Sequence, residues 1–138
     1  MTTRTACVVI IDANAHMRRL IGSLLAVLPA TSVVEARSAS AAAPLIQSHD
    51  PHLIVMDWSN DHTDELLFVH HLRRGEIGRA DIPVLAISAS LHHAVLEQAD
   101  DAGIDEVIAK PISAVEILGR AATLIAQSRH GDNAEAAE

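Results

Sequence analysis

The chain has no tyrosine, one tryptophan (Trp58) and one phenylalanine (Phe68) in 138 residues. An aliphatic core of Val, Ile, Leu and Ala must therefore do the packing. Basic residues are also scarce: ten Lys and Arg stand against eighteen Asp and Glu, a net charge of −8. That balance excludes a nucleic-acid surface, which needs clustered Lys and Arg to neutralise phosphates. The one cysteine, Cys7, has no partner for an internal disulfide and points to a reducing cytoplasm. The N-terminal apolar run stops at Asp12, too short for a signal peptide, and no run approaches a membrane span. Lysine occurs once, at Lys110. An ammonium on a flexible stem acts as a reaching point charge, which arginine's planar fork does not replace.

What remains is 49% hydrophobic and long enough for one domain with a proper core. Five short Val/Ile-rich runs recur: "ACVVII", "TSVVEA", "HLIVM", "IPVLAI" and "EVIA". Most lack polar alternation, the pattern of strands buried on both faces of a parallel sheet. Helical spacing lies between them. Met17, Leu20, Ile21, Leu24, Leu25 and Leu28 share one stripe, with Arg18 and Arg19 outside it. Leu66, Leu67, Val69 and Leu72 mark a further helix, and Val115, Leu118, Ala122 and Ile125 the last. "SASAAAPLIQSH" reads as a weaker helix because Pro44 interrupts it. Residues 1–127 form the expected domain. Residues 128–138, without an apolar face, form an expected flexible tail.

Strands alternating with helices imply a parallel sheet with right-handed crossovers and helices on both faces. Ligands of such sheets bind beyond the carboxyl ends of the strands. The runs end in Asp12, Asp57, Ser88 and Lys110. Any one of these is ordinary at a strand end. Together they suit phosphoryl chemistry, with a carboxylate nucleophile, lysine and hydroxyl on the transferred oxygens, and a divalent cation offsetting the acids.

The segments "VVIIDANAHMRRLI", "HLIVMDWSN", "IPVLAISAS" and "AGIDEVIAKPI" resemble response-regulator receiver domains of bacterial two-component signalling. The resemblance runs from Thr5 to about Gln127. It implies a flavodoxin-like (βα)5 fold with strand order 2-1-3-4-5. It also implies phosphorylation of Asp57 by a histidine kinase or phosphotransfer protein. Lys110, Ser88 and the amide of Ala89 would then contact the phosphoryl group. Asp12, Asp57 and the Ser59 carbonyl would hold Mg2+, and the Lys110–Pro111 bond would be cis. Output would be altered binding of a protein partner through the face of the fourth helix, fifth strand and fifth helix. No nucleic acid, membrane or free-substrate turnover is implied, and homodimer formation stays open.

Two departures weigh against that expectation. The family's second acid is Ala13, which should weaken Mg2+ binding, and its usual switch aromatic falls at Val107. The competing expectation is therefore a phosphorylation-independent docking module. An enzyme or nucleotide-binding protein on the same fold is disfavoured because "DANAHM" contains no glycine-rich phosphate loop. The pairs His70-His71 and His92-His93 cannot chelate alone, since adjacent helical residues point about 100° apart. Trp58 is expected to be partly exposed.

Overall fold

The computed structural model describes residues 5–59 and 64–137. Strands β1 (Ala6–Ile11), β2 (Thr31–Ala36), β3 (Leu53–Trp58), β4 (Val84–Ser88) and β5 (Glu106–Ala109) form one parallel sheet, order β2-β1-β3-β4-β5. Between and after them run α1 (Ala15–Leu25), α2 (Ala39–His49), α3 (Asp64–Arg73), α4 (His93–Ala102) and α5 (Ala114–Ala137). This is the flavodoxin-like α/β fold.

Alternation is present in the central strands but hidden, because both faces are apolar. Val9, Ile11, Ile54, Met56 and Val84 pack with Ile46, Phe68 and Leu72 on the side of α2, α3 and α4. Val8, Ile10, Val55, Leu85 and Ile87 pack with Ile21, Leu25, Ile117 and Leu124 of α1 and α5. Burying one such aliphatic side chain contributes about 1.5–3 kcal/mol. The edge strands β2 and β5 are only half buried, as their single neighbour dictates.

Packing revises the expected exposure of Trp58 and the expected buried stripe of α5. Trp58 is buried, 1% exposed, because its position on β3 carries it into the α2–α4 side of the core. The buried stripe of α5 is Ile117, Ala121, Leu124 and Ile125, and Val115 is left 85% exposed. Pro44 lies in the second turn of α2, and the helix continues through it with one ladder bond forgone. From residue 128 the backbone continues α5 to Ala137. No proline follows Pro111 to stop it.

Two helices are capped by polar side chains that stand free of the apolar stripe. Asn14 Oδ1 accepts from Met17 N at 3.0 Å, and Ser38 Oγ accepts from Ala41 N at 3.1 Å. One arginine does more. Arg73, at the end of α3, donates to the carbonyls of Gly103, Ala80 and Ile82 and pairs with Asp105 at 2.9 Å. Asp105 also accepts from Val84 N. The α4–β5 turn and the approach to β4 thus hang on one guanidinium. Gly103 caps α4 at φ 95°, and a Cβ there would meet the Arg73 side chain at 3.0 Å.

Arg73→Ala leaves those carbonyls without their donor and is expected to cost about 2–3 kcal/mol in urea unfolding. Gly103→Ala should destabilise through both the positive φ and the displaced arginine.

Candidate functional site at the carboxyl edge of the sheet

The backbone ladder runs one residue past two strands and fixes the site. Asp12 N donates to Ala36 O at 3.0 Å, and Lys110 N donates to Ser88 O at 2.9 Å. Asp57 remains within β3, paired in register with Ile87. The four strand-end residues are therefore held by sheet hydrogen bonds rather than by loops.

Lys110 Nζ approaches Asp57 Oδ1 to 2.6 Å. The contact is a charge pairing rather than a directed bond: Oδ1 is buried and has no partner of hydrogen-bond geometry among the described residues. Asp12 is buried beside them, its Oδ1 accepting from Asn14 N at 2.9 Å. Burial pushes the Asp12 carboxyl above its ordinary value, and the Asp57 charge raises it further. The Asn14 amide, Lys110 and Arg18 pull the other way. Ser88 is fully buried at the end of β4. Its hydroxyl donates to Ser90 O at 2.9 Å and accepts from Ser90 N at 3.2 Å. Ala89 follows it on the surface, and Ser59 follows β3. The Lys110–Pro111 peptide is cis.

Two neighbouring acids, of which Asp57 raises the pKa of Asp12, suit a hard divalent cation, and the Ser59 carbonyl offers a further oxygen nearby in sequence. Ala13 contributes no oxygen. Among the described residues no three Asp, Glu, His or Cys side chains converge as a ready metal cage. The residues fit Mg2+ in charge and donor type, with few protein ligands.

Such an aspartate, lysine and hydroxyl at adjoining strand ends coincide with a family match. The response regulator receiver domain matches residues 8–122. The chain belongs to that family.

This receiver is 27% identical over 126 residues to the phosphate regulon transcriptional regulatory protein PhoB of Pseudomonas aeruginosa, covering 91% of this chain. It spans 54% of that relative, about half its length. To the chemotaxis protein CheY of the same organism it is 28% identical over 107 residues, covering 78% of this chain and 86% of the other. A crystal structure of a response regulator from Thermotoga maritima superposes with a TM-score of 0.78. That likeness covers 88% and 98% of the two chains at 20% identity, and it speaks for the fold. Receivers act in two-component signal transduction, generally have a histidine kinase partner and commonly bind Mg2+, and they are typically not true enzymes. No helix among the described residues is long and apolar enough to cross a membrane.

Sequence reasoning left Arg18 as an outward residue, but it turns back to the site. Its Nη1 donates to Asp12 O at 2.7 Å and its Nε pairs with Glu35 at 3.0 Å. The signal was a cation on the first turns of α1 and a glutamate late in β2. Only the β1–β2 register, Ile10 opposite Glu35, brings them together. Of the histidine pairs, His71 pairs with Glu76, and His93 with Glu97 at 3.1 Å. Cys7 is buried packing, its thiol pushed up mainly by burial, with its backbone N–H donating to His52 Nδ1 at 3.2 Å.

The raised Asp12 carboxyl sets a pH dependence. A group protonated more readily when folded stabilises the fold most below its unfolded pKa, and that stability is lost as pH rises through the folded value. Asp12→Asn in metal-free buffer should therefore be more stable than the wild type at pH 7. The gain should vanish as pH falls below the ordinary value of 3.8, checked by urea unfolding across pH.

Proposed function

We propose that this receiver accepts a phosphoryl group on Asp57 from a histidine kinase or phosphotransfer protein and signals by altered binding of a protein partner. The observation that carries the reading is the 2.6 Å approach of Lys110 Nζ to Asp57 Oδ1. A single lysine is retained where a charge must follow a carboxylate and then its phosphorylated form. Phosphorylation exchanges the Lys110 contact from carboxylate to phosphoryl oxygen. The Ser88 hydroxyl gives up Ser90 O for the same group, and the Ala89 amide adds a donor. Asp12, Asp57 and the Ser59 carbonyl would hold Mg2+, which would offset phosphoryl charge when bound. Exposed Leu91, Leu96 and Val115 support a contact surface on α4, β5 and α5.

The second reading, a docking module that needs no phosphorylation, is favoured by Ala13. Ala13 adds no carboxylate to Asp12 and Asp57 at the strand ends, and Val107 offers no aromatic to rotate with Ser88. Trp58 separates the two readings. It is buried and in register with Ser88 on the neighbouring strand, so repacking at the site reaches it.

Its fluorescence should change saturably with Mg2+ and again with beryllofluoride, with one phosphoryl group gained from acetyl phosphate by intact mass. Asp57→Asn should abolish the mass gain. A folded protein silent in all three would leave docking alone. Ala13→Asp restores a ligand and should tighten Mg2+ binding at least about tenfold, the scale on which even supporting groups act. Calorimetry checks it.

A further inference from the structure

Beside the phosphoacceptor the sheet edge opens into a groove of about 550 Å3 between α2 and α3. That is the size of a small-molecule site. Its floor is Asp12, Ala13 and Asp57, and its walls include Ala39 and Ala43 of α2 and Leu67 and Phe68 of α3. The groove exists because short side chains face long ones. Alanine at 13, 39 and 43 leaves volume that no described neighbour fills, and Leu67 stays 56% exposed at its lip.

The charge along this groove is one-sided. Asp12, Asp57, Asp64 and Glu65 line it against Arg37. Lys110 compensates Asp57, and His71 is engaged by Glu76. Among the described lining residues, two acids more than the cations remain. Glu65 Oε2 is buried without a hydrogen-bond partner among the described residues. A metal ion alone would meet the acids and leave the apolar walls in water. An anion would meet the surplus negative charge.

We infer that the α2–α3 groove binds a small organic cation, an ammonium or amidinium head carried on an apolar body. The head sits between Asp12 and Glu65, and the body packs between Ala43 and Phe68. Occupancy would bring a cation to the phosphoacceptor carboxylates without Mg2+, giving the receiver an input by ligand. The groove does not depend on Asp57 being phosphorylated. Mass gain from acetyl phosphate and ligand binding therefore report on separate properties.

Amide NMR of the 15N-labelled full chain, titrated with phenethylammonium, tests the inference. Phenethyl alcohol and hydrocinnamate serve as neutral and anionic analogues. Saturable shifts at Ala13, Ala43 and Leu67 are expected, with the cation preferred at least about tenfold over either analogue. Ala43→Phe fills the groove and should remove the shifts while the remaining spectrum stays folded. Glu65→Gln keeps the shape, removes one charge and should weaken binding several-fold, which covers the case in which Ala43→Phe misfolds. Equal response to all three compounds, shifts outside the groove, or undiminished binding in a folded Ala43→Phe or Glu65→Gln would overturn it.

Discussion

A sheet buried on both faces has nowhere to put polar chemistry except its ends. In this chain β1 and β3 are covered on one side by α1 and α5 and on the other by α2, α3 and α4. Every residue of β1 is buried. The ladder then carries Asp12 and Lys110 one step past that apolar interior, still hydrogen-bonded to neighbouring strands. Placement of the charged groups is thus a by-product of aliphatic packing. Their precision comes from backbone bonds rather than from side-chain contacts.

That arrangement concentrates like charge. Asp12 is buried, and Asp57 lies close enough to raise its pKa. One lysine, one backbone amide and the Arg18 guanidinium at Asp12 O make up the described compensation. Alanine at position 13 adds neither repulsion to Asp12 and Asp57 nor attraction for a cation. The same alanine makes room, and the alanines of α2 extend that room into a groove. Few metal ligands and an open apolar pocket therefore have a common origin in short side chains.

Far from the site, Arg73 performs for the loops what the ladder performs for the strands. Its guanidinium gathers carbonyls from the turn before β4 and the turn before β5. Those turns set where β4 and β5 begin, and so where Ser88 and Lys110 end. A surface-sounding arginine in the sequence is, in this fold, a fixing point for two of the site's strands.

The sequence by itself determined the order of elements, the parallel sheet and the four strand-end residues. These follow from local patterns, Val/Ile runs and helical spacing, and from a resemblance carried by contiguous segments. The tertiary structure decided what depends on neighbours distant in the chain. It buried Trp58, rotated the packed stripe of α5 away from Val115, and bent Arg18 onto Asp12 and Glu35. It also left a groove where alanines from the β1–α1 loop and α2 meet α3. Periodicity assigns a face to each helix, but which side chains that face covers depends on the shape packed against it. The shape of the opposing surface is set by long-range register, which a single sequence does not display.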